Sequence, residues 1–160
     1  MSATPRATIT IETFKLEHIQ QMKLREHDAV SIEYVKTLED AAAIFLRGPA
    51  WTVRINGEIG GAGGFVSPWP GLAEGWILTT PLILRFPKVA YTLARRFLEM
   101  ARKDMGFARI EATAPIAYTV AHRWLESLGF EKESIMYSYG PNGEDFVKYR
   151  ILCEGRPHVA

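Results

Sequence analysis

Residues 117–152 read AYTVAHRWLESLGFEKESIMYSYGPNGEDFVKYRIL, and this stretch decides the fold. Ala117, Val120, Ala121, Trp124, Leu125 and Leu128 recur at intervals of three and four, which predicts a helix with a single apolar face. Gly129 follows where a helix closes on a left-handed residue, a conformation glycine adopts without a Cβ penalty. Two strands, 133–139 and 145–152, then flank Gly140-Pro141-Asn142-Gly143, which has proline and glycine where a type I turn favours them.

Upstream of this unit, 109–114 reads as a strand and 87–103 as a long helix. Val89, Ala90, Leu93, Ala94, Phe97 and Leu98 form the helix's apolar face. Residues 67–73, with Pro68, Trp69, Pro70 and Gly71, read as a loop, and a strand follows from Glu74 towards Pro81. Asn56-Gly57 between the runs 51–55 and 58–66 is a strong hairpin signal. Gly60, Gly61, Gly63 and Gly64 lie inside the second run. No helix opens after them and no Lys-Ser or Lys-Thr follows, so close packing against a neighbouring helix, or a bulge, is the better reading than a phosphate loop. Nearer the N-terminus, 8–14 alternates as a strand. Residues 16–26 read as a helix with Ile19, Met22 and the Lys23 stem inward. A second helix is capped by Thr37 and stops at Gly48-Pro49. The expected order is β-α-α-β-β-β-α-β-α-β-β.

A chain of 160 residues with 48% apolar side chains is expected to fold as one domain spanning 1–160, with 1–6 and 154–160 as flexible ends. Nineteen basic and eighteen acidic residues nearly balance, which argues against nucleic acid as a partner. Arg95-Arg96 and Arg102-Lys103 read as a solvated helix face. The lone Cys153 allows no internal disulfide. His18, His27, His122 and His158 show no metal-ligand spacing, so no metal is expected. No apolar run approaches a membrane span and no secretory leader precedes the domain, which leads us to expect a cytoplasmic protein.

The closing Gly129-Phe130 pair, the two antiparallel strands after it and the element order together resemble the GNAT superfamily of N-acetyltransferases. The resemblance covers nearly the whole chain. It implies an α/β (α+β) fold with a mixed, mainly antiparallel sheet flanked by helices. It also implies acetyl-CoA as cosubstrate and an amine, here unidentified, as acceptor.

In that family a loop of the pattern Arg/Gln-x-x-Gly-x-Gly/Ala opens the long central helix and holds the pyrophosphate. The matching span is Arg85-Phe86-Pro87-Lys88-Val89-Ala90, with Lys88 in place of the first glycine. A backbone donor for the thioester carbonyl falls, by position, on the fourth strand, at Leu78, Thr79 and Thr80. For a general base, Glu74, Glu58 and Glu111 are the candidates; each reads first as a surface or strand-edge carboxylate, and Glu74 is preferred because relatives often draw a carboxylate from that strand. The family's frequent tyrosine, four residues before the Gly-Phe glycine, is Leu125 here, and its frequent asparagine falls on Tyr118. Any acid then comes from Tyr118, Tyr137 or Tyr139, or from water.

The phrase Ala121-His122-Arg123-Trp124-Leu125 and the turn around Pro141 are similar to GNAT-like proteins of tailed bacteriophages. That similarity implies an alternative: a non-catalytic virion or host-binding protein. Ile135, Tyr137, Tyr139, Phe146 and Tyr149 would line a hairpin edge through which a homodimer could form.

Overall fold

The computed structural model describes residues 6–24 and 38–153. Its elements are β1 (Ile9–Thr13), α1 (Glu17–Gln21), α2 (Leu38–Phe45), β2 (Ala50–Ile55), β3 (Glu58–Val66) and β4 (Leu72–Thr79). A 3-10 turn (Pro81–Arg85) leads into α3 (Pro87–Lys103), followed by β5 (Arg109–Pro115), α4 (Thr119–Ser127), β6 (Glu131–Met136) and β7 (Phe146–Leu152). The seven strands are hydrogen-bonded in the order β1-β2-β3-β4-β5-β7-β6, and β4 pairs with β5 in parallel. The expected mixed α+β sheet and element order are therefore present, and the 3-10 turn is an addition. The Thr37 cap lies outside the described residues, as do residues 1–5 and 154–160 of the expected ends. The chain divides into two compact units, Met1–Val66 with Trp76–Ala90, and Ser67–Gly75 with Tyr91–Ala160.

In the first unit Asn56 and Gly57 have φ of 51° and 86°, the two positive values that a tight hairpin with strand-matching twist demands. Val53 faces Gly61 whereas Arg54 faces Ile59, so Gly60 is the extra residue of a bulge. The neighbour that explains the other glycines is backbone, of β4 for Gly61 and Gly63 and of Pro49 just before β2 for Gly64, not a helix. A Cβ on Gly61 would lie 2.8 Å from the Leu78 carbonyl oxygen, one on Gly63 would lie 3.0 Å from that of Trp76, and one on Gly64 would strike that of Pro49. Phe14, Met22, Phe45, Ile59 and Leu78 form the core, and the Trp76 ring sits 5.3 Å from Phe14 and 4.6 Å from Phe45. The first helix is shorter than expected, because Met22 turns extended to enter this core. Lys23 is exposed.

In the second unit β4 begins at Leu72, two residues earlier than expected. Leu72 and Ala73 pair with Arg109 and Ile110 and are buried, so they belong to the strand and not to the loop before it. Gly71 (φ 93°) turns the chain there, and its carbonyl accepts from the amides of Ala108 (2.8 Å) and Arg109 (3.1 Å). The Arg95, Arg96, Arg102 and Lys103 face of α3 is exposed, and Leu98 and Ala101 are buried.

The end of α4 is a Schellman closure. The Phe130 amide donates to Leu125 O (3.1 Å), that of Gly129 to Glu126 O (3.0 Å), and Gly129 has φ 96°. Leu125 and Phe130 are both buried beside it. Two members of the expected apolar face are not on it. Ala117 precedes the helix, and Val120 is 61% exposed. His122 replaces them, since its nitrogens meet Tyr149 Oη (2.7 Å) and Pro115 O (2.9 Å). Tyr149 is accordingly only 2% exposed and belongs to the core, not to a hairpin edge. The Gly140–Gly143 turn closes as read, with the Gly143 amide donating to Gly140 O (2.9 Å). Tyr137 and Tyr139 fall in the connection rather than in a strand, because Ser138 takes φ 52° and donates its amide to Asp145 Oδ1.

Candidate functional site

The first unit carries the residues assigned to the cosubstrate. Arg85 ends the 3-10 turn, and its successor Phe86 donates its amide to Ile83 O (2.9 Å). Pro87, which has no amide hydrogen, then opens α3. The amides of Val89 and Ala90 both donate to Phe86 O (3.1 and 3.2 Å). Among the described residues the Lys88 amide is the open donor of that first turn. The turn contains no acidic residue, and Arg85 and Lys88 are exposed.

This helix start fits a pyrophosphate through two exposed cations and the positive end of the helix dipole, more than through a cradle of backbone amides. On β4, Leu78 is a core residue. Thr80 is buried, with its amide on Gly60 O (3.1 Å) and its hydroxyl on Ile59 O (3.0 Å) and Gly60 O (3.2 Å). Thr79 lies between them and is also buried. Trp76 on the same strand has a buried indole N–H with no acceptor among the described residues.

The second unit carries Glu74 and Glu111, which face each other in the parallel register of β4 and β5. Alternate residues of a strand share a face, so Leu72, Glu74, Arg109 and Glu111 lie on one side. Glu111 is not the surface carboxylate the sequence suggested. It is 8% exposed, with Oε1 on Arg109 Nε (2.6 Å) and Oε2 on Lys148 Nζ (3.3 Å). Arg109 also grips Glu133 with both terminal nitrogens, and Arg150 reaches Glu133 (3.6 Å) and Glu131 (3.7 Å). The Glu133 pair holds the Arg109 guanidinium above its ordinary range, and the same bond holds the Glu133 carboxyl below its own. Two cations thus engage both oxygens of Glu111. Glu74 is exposed and has no ion-pair partner among the described residues. Beside these groups is a cavity of about 300 Å³ lined by residues 69–72, Ala108, Arg109 and Glu111.

The tyrosines are dispersed. Tyr118 occupies the N-cap of α4, with its amide on Pro115 O (3.0 Å), and its side chain is half-buried. Tyr137 is exposed, and the Tyr139 ring packs edge-on to Phe146 at 5.2 Å. Leu125 is built into the helix closure. The His122–Tyr149 pair was missed from the sequence. Its signal was present in the three-residue spacing of His122 and Leu125 and in the alternation of Tyr149 with Val147 and Ile151. Nε2 faces two carbonyls, of Pro115 and Ile116 (3.1 Å), so it carries the proton, and Nδ1 accepts from the Tyr149 hydroxyl. Burial pushes the Tyr149 phenol up, and the Glu126 charge adds to this. Among the described residues, no group of three His, Cys, Asp or Glu side chains could hold a metal. No described helix is long and apolar enough to cross a membrane.

No family model and no curated protein matches the sequence. Solved structures do match. A protein of Acinetobacter baylyi described provisionally as an acetyltransferase superposes with a TM-score of 0.74 at 12% identity, covering 98% of this chain and 99% of its own. The GNAT-family acetyltransferase of Bacillus anthracis gives 0.68 at 21% identity over 92% and 96% of the two chains. A point mutant of the spermidine N-acetyltransferase SpeG from Vibrio cholerae gives 0.68 at 16% identity over 90% and 93%. The seven-stranded order, the parallel β4–β5 pair and these superpositions agree that the chain has the fold of the GNAT N-acetyltransferases.

Proposed function

We propose that the protein is an N-acetyltransferase that moves the acetyl group of acetyl-CoA to an amine by direct attack, in the cytoplasm. The observation that carries this reading is an acid-free start of α3, with Arg85 and Lys88 exposed, on a GNAT fold. Acetyl-CoA supplies an acyl carbon activated as a thioester. The amine nitrogen forms a bond to that carbon while the carbon–sulfur bond breaks, and the proton leaves the nitrogen as the thiolate departs. Arg85 and Lys88, with the open Lys88 amide, hold the pyrophosphate, and Phe86, Pro87, Val89 and Ala90 shape the turn that presents them. Glu74 takes the proton, directly or through a water. Tyr118 or Tyr137 returns a proton to the sulfur, since buried Leu125 has none to give.

A second reading is a non-catalytic GNAT-like bacteriophage protein that binds other proteins, or a second copy, through its surface. The exposed Ile135, Tyr137 and Tyr139 favour it. The two part in one assay. With acetyl-CoA and a panel of primary amines, the enzyme releases free thiol, and Lys88→Glu suppresses that release. No release with any amine favours the second reading.

A further inference from the structure

We propose that the cavity beside Glu111 is the acceptor pocket, and that it takes a monoamine with a compact apolar body. The proposal rests on the acetyl-transfer reading for its purpose, though not for its chemistry.

Three observations point to it. First, the cavity is preformed. Its loop is pinned by Ser67 Oγ donating to Trp69 O (3.0 Å), by the Leu72 amide donating to the same oxygen (3.2 Å), and by Gly71 O accepting from Ala108 and Arg109. Second, its lining is mainly apolar beside Arg109 and Glu111, and it includes Trp69, 63% exposed, an indole of the kind that attracts an organic cation. At about 300 Å³ it is at the small end of ligand pockets.

Third, the charges on this face are balanced except for one. Arg109, Lys148 and Arg150 are set against Glu111, Glu131 and Glu133 within 4 Å. Glu74, two residue pairs beyond Leu72 and Arg109 in the same register and opposite Glu111, is the carboxylate left over on this face among the described residues. One unneutralised carboxylate suits one ammonium. A polyamine would need several, and its further charges would meet Arg109 and Lys148.

The test is titration calorimetry of the full chain with benzylamine and with spermidine, in the presence of unacetylated CoA so that nothing turns over. We expect benzylamine to bind on the order of tenfold more tightly than spermidine. We also expect Trp69→Ala and Glu74→Gln each to weaken benzylamine on the order of tenfold. Both variants should keep the wild-type thermal stabilisation by CoA, which shows them folded. Equal or tighter binding of spermidine overturns the monoamine class, and benzylamine binding untouched by either substitution overturns the pocket. If CoA stabilises the protein but benzylamine does not bind, the pocket falls and acetyl transfer stands. If benzylamine binds with these dependences and CoA has no effect, the pocket stands and acetyl transfer falls.

Discussion

Replacing Gly129 by alanine isolates the conformational contribution to the helix closure that defines this fold. Gly129 has φ 96°, and an added Cβ meets nothing within 4 Å, so no steric clash contributes. What remains is the left-handed backbone of an L-residue, about 1–2 kcal/mol, partly offset by a stiffer unfolded chain. The net loss should be about 1 kcal/mol, which for a domain of this length lowers the melting temperature by about 2–4 °C. Gly61→Ala is the contrast. Its Cβ would lie 2.8 Å from the Leu78 carbonyl oxygen, backbone against backbone, with no side chain to move aside. That loss should be larger, about 1–3 kcal/mol or more. Thermal and urea denaturation followed by circular dichroism measure both. An unchanged melting temperature for Gly129→Ala, or a loss as large as that of Gly61→Ala, would refute the reasoning.

Glu111→Ala leaves Arg109 Nε and Lys148 without their shared carboxylate. Because Arg109 keeps Glu133, we expect a loss of about 2–3 kcal/mol in urea denaturation, below that of an isolated buried pair. A change under about 0.5 kcal/mol would place Glu111 among solvent-screened surface pairs. Acid stability should follow the bound carboxylates. Glu12, held down by its bond to Arg54, and Glu133, held down by Arg109, both titrate below the usual 4.5. A depressed carboxylate stabilises the fold above that pH, and its contribution is lost as pH falls through the folded value. The melting temperature should therefore drop below pH 4.5, and Glu133→Gln should make that drop shallower. An identical pH profile would contradict the assignment.

The elements of the fold were legible where local chemistry and tertiary context agree. Asn56-Gly57, Pro87, Gly129 and the Gly140–Gly143 turn each need a backbone geometry that few residues supply, and all four mark boundaries in the structure. Errors arose where packing overrode local signal. Leu72 and Ala73 follow Gly71 in a loop-like stretch, yet parallel pairing with β5 makes them strand. Val120 has the right spacing for the core, but His122 lies there instead, because Tyr149 and Pro115 O satisfy its nitrogens.

The candidate site was less legible for a related reason. Sequence names the charges but not their partners, so Glu111, like Glu74, read as a surface or strand-edge carboxylate. The register that seats Glu111 between Arg109 and Lys148 is a tertiary fact. The occupied amide of Thr80 is another.

The most direct test of acetyl-CoA use is thermal denaturation of the intact chain with and without millimolar acetyl-CoA, alongside Lys88→Glu. Ligand at 100 times its dissociation constant adds about 2.7 kcal/mol, which here raises the melting temperature by about 5–10 °C. The account expects that rise in the wild type and its loss in Lys88→Glu, with the two unliganded melting temperatures alike. No rise in the wild type would contradict acetyl-CoA binding, and an equal rise in the variant would contradict its placement at the start of α3.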